Sequence, residues 1–474
     1  MKKILFIGII SFLVCSCDVL DEKPQAIAVE TFYNTAEEIE AGVNAIYTPL
    51  RNNFRDVYPC MLEESSDFVY GGLGSWNPPS LYAGLDANNI NRVSDRWNQF
   101  YVAIRNANIM IEAIPKAGLA SDAEKNKFMG ETMFLRALAY FHLVRNWGAI
   151  PLRTVENMSE YNVPRTPESE VYELIISDLE YAESTLPATV LITGHPTQWS
   201  AKMLLADVYF YLNQYDKAAE LSNEVIQSHQ YSLVEIETTD DFENLYGATV
   251  VNTLEEIFYF KYHEQDGFAL ALYYHGGGNA GEYIRVPGYN VVINRVDHRP
   301  YMEQDDKDLR KGLWYLYTGG LVNEGGLLLK KYNDVTGENP RNSFPLYRYA
   351  DCLLMYAEAS CRVASGPTSA GLEALNMVHR RAYGYPSTQP SPVDFKLSDY
   401  NKDSFIELCI KERGYETVGE SKRWLDLKRL GKAEAAKYVK QNRGLEMVEK
   451  HWLWPLPVSE LNFNQAITDQ NPGY

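Results

Sequence analysis

The residues best suited to catalysis do not form a complete motif in this sequence. His275 is followed by Gly276, Gly277 and Gly278, a run similar to an oxyanion loop. An oxyanion loop acts in catalysis only together with a serine nucleophile in a G-x-S-x-G turn, and the sequence contains no such turn. The preferred interpretation is therefore a flexible glycine loop.

The sequence also gives no support for catalysis by a bound metal ion or by a pair of carboxyl groups. The sequence has no H-E-x-x-H motif, and Asp305, Asp306 and Asp308 lack the glycine and final glutamate of an EF-hand. A glycosidase would need two carboxyl groups several ångströms apart, a distance that sequence cannot report. We expect a protein without catalytic activity or cofactor. A glycan-degrading enzyme stays open as an alternative, and oxygen-rich loops could hold a structural calcium ion.

Cys17 is the residue whose context predicts a covalent modification. Lys2 and Lys3 precede an apolar run of about eleven residues, the length of a signal-peptide core rather than a membrane span. Cys17 follows Ser16, whereas Cys15 follows the bulky Val14. We therefore predict a signal peptide over residues 1–16, lipidation of Cys17, a tether over residues 17–30, and a protein anchored to a membrane.

Composition predicts a large globular body without nucleic-acid partners. The chain has 474 residues and a formal net charge of -19, and loss of Lys2 and Lys3 would make that charge more negative. Negative charge of this size disfavours nucleic acid. Cys352 and Cys361 are nine positions apart, about 13 Å along one straight helix, too far for a disulfide. With Cys60 and Cys409 they are expected to be buried thiols.

Apolar periodicity predicts a largely helical scaffold. Three-and-four spacing marks helices over residues 36–53, 97–114, 123–145 and 167–185. Residues 199–228 resemble a tetratricopeptide helix pair with small residues at Ala206 and Ala218. Strand-like pieces occupy residues 256–262 and 326–332 within a loop-rich region. Helices return over residues 345–381 and 403–430.

The segment 404–431 contains carboxyl groups at regular helical spacing. Glu412, Glu416 and Glu420 recur every four residues, with Arg413 and Arg423 nearby. A charged binding surface is one interpretation. An ion-pair lattice that fixes helix packing is the preferred one.

Several blocks in order resemble the SusD/RagB family of outer-membrane nutrient-binding lipoproteins. The chain ends in Asn471, Pro472, Gly473 and Tyr474, a closing sequence typical of that family. The other blocks lie behind the cysteine motif and cover most of the chain: residues 97–114, 130–152, 163–187, 199–228, 347–360, 412–431 and 453–474.

The resemblance implies an all-α scaffold of tetratricopeptide-like repeats with long ligand-binding loops and a few short strands. It divides the chain into an N-terminal helical region over residues 31–230 and a C-terminal region over residues 231–474. It also implies a partner, a SusC-like TonB-dependent outer-membrane barrel, to which glycan is delivered at the cell surface. Block residues such as Arg136, Glu358, Arg423 and Trp424 are expected to maintain the fold.

Two loop regions outside these blocks are the predicted ligand site. A sugar offers an apolar C–H face ringed by hydroxyl groups, so its site needs aromatic platforms with polar partners. The first region, residues 63–91, is rich in glycine and proline, and Trp76 is its leading platform. The second region is residues 268–317. The predicted ligand-binding residues are Trp76, Asp67, Tyr70, Tyr82 and Asn88 in the first region, and Tyr273, Tyr274, Arg285, Tyr289 and Trp314 in the second.

The sequence does not identify the ligand. Glycan binding is the leading hypothesis, and binding of peptides or other nutrients in the same kind of import complex is the alternative. The identity of a sugar, its linkage and its chain length depend on how loop rings are arranged in space.

Overall fold

The computed structural model describes residues 32–71, 76–279, 281–317 and 326–474 of the chain. The predicted signal peptide, Cys17 and the tether lie outside these ranges. The α-helices are α1 (Ala36–Phe54), α2 (Val57–Glu64), α3 (Asn77–Ser80), α4 (Ile90–Ala113), α5 (Asp122–Trp147), α6 (Glu168–Thr185), α7 (Gln198–Tyr211), α8 (Tyr215–Gln227), α9 (Glu243–Tyr246), α10 (Leu270–Tyr274), α11 (Arg299–Glu303), α12 (Tyr349–Ala364), α13 (Ser369–Ala382), α14 (Lys402–Glu416), α15 (Arg423–Arg429), α16 (Lys432–Arg443) and α17 (Val458–Phe463).

Most of the long helices pack against the long helices that are next to them along the chain. Helix α1 packs on α4, α4 on α5, α5 on α6, α6 on α7, α7 on α8, and α8 on α12, which in turn packs on α13 and α14. Each helix alone cannot bury its apolar face, and stacking neighbours creates one continuous core. The all-α repeat scaffold predicted from sequence is confirmed.

The pair α7 and α8 shows how local sequence sets the repeat. The hydroxyl of Thr197 accepts a hydrogen bond from the Ser200 N–H and so caps the start of α7. Asn213 adopts a positive φ of 60° in the turn between the helices. Ala206 and Ala218 are fully buried, which lets the two helices approach closely.

Short strands lie between the helices, most of them in the loop-rich region. They are β1 (Ile150–Pro151), β2 (Arg165–Thr166), β3 (Glu256–Phe260), β4 (Asn294–Arg295), β5 (Trp314–Tyr317), β6 (Gly326–Leu329) and β7 (Phe344–Arg348). Strands β3 and β7 pair antiparallel, with Phe260 opposite Phe344. The predicted helix over residues 345–381 was therefore wrong at its start. All five residues of β7 are buried on the core, so pairing with β3 prevails over helix extension.

The helical segment predicted over residues 403–430 consists of two helices. Helix α14 ends at Glu416, and α15 begins at Arg423. Between them Gly419 has a φ of 81° and Ser421 a φ of 59°, conformations that a helix cannot contain. Glu420 thus lies in a turn rather than on the helix. It nevertheless forms an ion pair with Arg348, which also pairs with Glu416.

One hydrophobic core runs through both halves of the described chain, from Ile39 to Ile467. Cys60, Cys352, Cys361 and Cys409 are free and buried within it, as expected from their spacing. None of the helices within the described ranges combines the length and apolarity needed to cross a bilayer. The division into regions at residue 230 stays a prediction.

Candidate functional site

Three aromatic rings from the two predicted loop regions meet on one surface. The ring centroids of Trp76 and Tyr273 are 5.4 Å apart, and those of Tyr273 and Tyr289 are also 5.4 Å apart. Both pairs are edge-to-face. Tyr289 is 58% exposed, while Trp76 and Tyr273 are half-buried. We call these three rings the aromatic platform.

Arg92 supports the platform from one side of Trp76. Its guanidinium carbon lies 3.7 Å from the centroid of the Trp76 ring, a close cation–π contact. The same side chain donates a hydrogen bond to the side-chain oxygen of Asn89. Burial lowers the pKa of Arg92 below its ordinary value. With one face of Trp76 taken by Arg92, a ligand would use the remaining surface of the ring.

Backbone contacts hold the rings in place. The Leu270 N–H at the start of α10 donates to the Arg55 carbonyl at 2.8 Å, which fixes the helix that carries Tyr273. The Tyr289 N–H donates to the Leu272 carbonyl at 2.7 Å, so the returning chain is tied to the same helix. Trp76 immediately precedes α3, whose first turn contains prolines that favour a helix start.

Polar groups lie beside the platform near the start of α4. Asp86 accepts hydrogen bonds from the Asn89 backbone at 3.1 Å and from its side-chain amide at 2.8 Å. Asn88 is exposed, and its N–H also donates to Asp86, at 2.9 Å. Rings with nearby amide and carboxyl groups provide the combination that sugar recognition requires.

Three predicted ligand residues are fully buried. Asp67 is fully buried, and its oxygens accept hydrogen bonds from Arg423 at 2.7 and 2.9 Å. Burial alone would raise the pKa of Asp67, but the charge of Arg423 together with the hydrogen bonds from Arg423 and Asn442 lowers that pKa below its usual value. Tyr82 is fully buried against His451, and the Tyr274 hydroxyl donates to the Gly419 carbonyl at 3.0 Å. These side chains have no surface for a ligand and lie outside the platform.

The other predicted residues make contacts elsewhere. Trp314 is 8% exposed on β5. The ring of Tyr70 is half-buried between the guanidinium carbons of Arg443 and Arg295, at 4.0 and 5.3 Å. Arg285 is exposed and donates to the Thr336 carbonyl at 3.1 Å. Trp314 packs in the hydrophobic core, opposite Leu329 of β6, and its ring lies outside the platform.

The acidic segment forms an interior ion-pair lattice, which confirms the preferred interpretation of its spacing. Arg348 contacts Glu416 at 2.6 Å and Glu420 at 2.7 Å, and Arg310 contacts Glu412 at 3.0 Å. Burial would raise the pKa of Glu412 and Glu416, but the surrounding arginines outweigh it and lower both to about 2. Every group of this lattice is buried, so it fixes helix packing and presents no surface to a ligand.

His275, which precedes the glycine loop, is buried in the interior, whereas Gly277 and Gly278 are exposed. The His275 ring contacts the Tyr332 carbonyl at 2.8 Å and the Tyr315 hydroxyl at 3.2 Å. Burial lowers the pKa of His275 to about 4.

In the part of the chain that the structure describes, no group of three or more His, Cys, Asp or Glu side chains is arranged to hold a metal ion.

Arg92 is the site residue that sequence reasoning missed. The predicted helix began at residue 97, whereas α4 begins at Ile90 and so includes Arg92 in its first turn. A lone arginine in a presumed loop carried no sign of an aromatic partner. The available signal was its position shortly after Asp86, Asn88 and Asn89, which together form a polar helix start.

The fold and the platform together define a class of helical-repeat proteins with a surface site on long loops. A family model described as "Starch-binding associating with outer membrane" matches residues 18–210, and one described as "SusD family" matches residues 268–474. A SusD-like protein P2 from Formosa agariphila is 30% identical over 513 residues, covering 100% of this chain and 99% of the relative. The chain belongs to the SusD family.

Solved structures share this fold along nearly the whole chain. A SusD homolog from Bacteroides thetaiotaomicron superposes with a TM-score of 0.77 at 21% identity, covering 94% of this chain and 98% of that one. A laminarin-binding SusD-like protein superposes with a TM-score of 0.73 at 25% identity, covering 93% of this chain and 100% of that one.

Proposed function

We propose that this protein is a non-catalytic, lipid-anchored glycan-binding protein of the cell surface. In this proposal it captures oligosaccharide or polysaccharide on the aromatic platform and delivers it to a SusC-like TonB-dependent transporter in the outer membrane. The observation that carries the proposal is the meeting of Trp76, Tyr273 and Tyr289, with Arg92 behind Trp76. Membership of the SusD family and the laminarin-binding relative support a glycan as the ligand.

The platform suits a sugar better than a peptide. Edge-to-face rings present a shallow apolar surface rather than a deep slot, and this surface matches the C–H face of a pyranose. Exposed Asn88 and the carboxyl of Asp86 lie near the start of α4 as partners for hydroxyl groups. No unpaired strand edge is needed in this mode of binding, unlike peptide capture by strand addition.

Calorimetry with the Trp76→Ala variant tests the proposed site. The titrants are laminarin, soluble starch and a mixture of unstructured peptides. We expect wild-type protein to bind a glycan and the variant to bind it at least about fivefold more weakly, because a central aromatic anchor contributes more than about 1 kcal/mol. Tyr161 is 87% exposed outside the platform, so Tyr161→Ala is the matched control and should bind like wild type.

Unchanged affinity in Trp76→Ala for a glycan that wild type binds would remove the platform from the site. Binding of peptides but of no glycan would favour the peptide alternative. Release of new reducing ends during incubation with a glycan would contradict a purely binding role.

Purification from detergent-solubilised outer membranes should recover the protein together with a large β-barrel, and its recovery alone would count against the transporter partnership.

A further inference from the structure

A second concave site lies between helices α11, α14 and α16. It has a volume of about 160 Å³ and is lined by Phe68, Tyr415 and Tyr438 together with polar side chains of α14 and α16. None of its lining residues belongs to the aromatic platform. We propose that this pocket binds a single neutral pyranose ring, separately from the platform, and we call it the pyranose pocket.

The floor of the pyranose pocket is rigid and aromatic. Phe68 and Tyr415 are each 7% exposed, and their ring centroids are 5.7 Å apart in an edge-to-face contact. The Arg423 guanidinium carbon lies 4.5 Å from the centroid of Phe68 and is itself fixed by two hydrogen bonds to Asp67. Such a floor offers a sugar only the small exposed part of the two rings, but that part is already fixed in place before a ligand arrives.

Glu407 and Lys411 leave their charged groups free for a ligand. They are exposed, four residues apart on α14, with the glutamate first, which is the favourable order for a helix ion pair. Nevertheless, neither makes an ion pair or a side-chain hydrogen bond with any residue that the structure describes. Lys411 instead holds its ammonium 5.7 Å from the centroid of Tyr415, above the pocket floor.

The remaining wall adds neutral hydrogen-bonding groups. Tyr438 is half-buried, with its ring centroid 5.3 Å from the guanidinium carbon of Arg423. Its hydroxyl makes no hydrogen bond within the described ranges. The amide of Asn442, one turn further along α16, donates to Asp67 at 2.6 Å and so holds its part of the wall in place. Together these groups offer donors and acceptors around an apolar floor.

Charge and size select the class of ligand. Two other charged rim groups are already paired, Lys437 with Glu434 at 3.3 Å and Glu303 with Arg299 at 2.6 Å. The free carboxylate of Glu407 and the free ammonium of Lys411 cancel, which favours a neutral sugar over an acidic or basic one. The volume equals that of roughly five liquid waters and lies below the range of about 300–1,000 Å³ typical of drug-sized ligands. A single pyranose ring is therefore the ligand that we infer for this pocket.

Ligand-observed saturation-transfer NMR on the full-length Trp76→Ala protein tests this pocket with the platform disabled. The probes are glucose, galactose, mannose and glucuronate, each at millimolar concentration. We expect saturation transfer to at least one neutral hexose. Adding Glu407→Gln and Lys411→Met should reduce that signal at least about fivefold, because a hydrogen bond to a charged group contributes about 1.5–3 kcal/mol.

The matched control is another exposed glutamate and lysine pair with the same spacing. Glu112 and Lys116 form an ion pair at 2.9 Å on the surface, so Glu112→Gln with Lys116→Met should leave the signal unchanged. Both mutated pairs are exposed, and thermal melts verify that each variant folds. The proposal fails if no neutral hexose gives a signal in Trp76→Ala, if the signal survives the change at Glu407 and Lys411, or if glucuronate alone binds. Each of these outcomes is independent of whether the platform binds glycan.

Discussion

Glu63 is a carboxyl group that the fold keeps away from water. It is 2% exposed at the end of α2, and its oxygen accepts a hydrogen bond from the Ser421 N–H at 2.5 Å. Burial raises the pKa of Glu63 from 4.5 to about 7. Because the pKa is higher in the folded protein than in the unfolded chain, ionisation of Glu63 costs stability as pH rises from about 4.5 to about 7.

Replacing Glu63 with Gln should remove this pH-dependent cost. Relative to wild type, we expect the Glu63→Gln variant to gain unfolding free energy as pH rises from 4.5 to 7, by an amount on the order of 3 kcal/mol. Urea unfolding at several pH values measures the difference. Glu220 is exposed on α8, so Glu220→Gln is the matched control for loss of a surface carboxyl group. A difference for Glu63→Gln that does not change with pH would mean that Glu63 ionises freely in the folded protein.

Arg92 contributes to the platform through Trp76 rather than through a direct ligand contact. Its guanidinium packs 3.7 Å from the indole centroid and is anchored to Asn89. We expect Arg92→Gln to weaken glycan binding less than Trp76→Ala does, and to raise the mobility of the Trp76 side chain, visible as lower fluorescence anisotropy. Wild-type affinity together with wild-type anisotropy in Arg92→Gln would show that the stack does not position the ring.

At the scale of elements, the turn between α14 and α15 depends on a glycine. Gly419 has a φ of 81°, and a methyl group there would lie 2.5 Å from a side-chain carbon of Leu329. Gly444, at the end of α16, has a φ of 69° but no atom within 4 Å of the corresponding position. The two glycines therefore share one backbone cost and differ in steric crowding.

Alanine substitution at these two glycines should separate backbone strain from crowding. The positive φ costs each variant about 1–2 kcal/mol of unfolding free energy. Gly419→Ala should lose about 1–3 kcal/mol more, because the added methyl group overpacks the core beside β6. Denaturant unfolding measures both values. Equal losses would show that Leu329 moves aside without cost.

The helices were predictable from sequence because their signals are local. Apolar periodicity and capping residues such as Ser121 and Thr197 mark helix ends within a few positions. The break after Glu416 was missed because the four-residue spacing of Glu412, Glu416 and Glu420 continues through the turn. Only Gly419 indicated the break, and a single glycine also occurs inside helices.

At the scale of the whole molecule, the platform depends on contacts between distant parts of the chain. Trp76 and Tyr273 are separated by almost two hundred residues, and nothing local to either predicts that their rings meet. Residue type directed attention to both loop regions, and the structure brings rings from the two regions into contact. It could not distinguish Tyr273, which is half-buried at the surface, from its neighbour Tyr274, which is fully buried, because that difference arises from the packing of α10 against the core.

The placement of the protein at the outer membrane depends on Cys17 in our proposal. A lipidated Cys17 would hold the protein at the bilayer through several acyl chains, each buried methylene contributing roughly 0.8 kcal/mol. Cys17→Ala should therefore release the protein into the soluble fraction, as measured by membrane fractionation. The described fold begins beyond this residue, so the released protein should bind glycan with wild-type affinity in calorimetry.

Cys15 supplies the matched control, since it lies two residues away but follows Val14. Cys15→Ala should stay in the membrane fraction. Retention of Cys17→Ala in that fraction would show that another group anchors the protein. Release accompanied by loss of glycan binding would show instead that the N-terminal segment contributes to the site, because the aromatic platform itself is unchanged by the substitution.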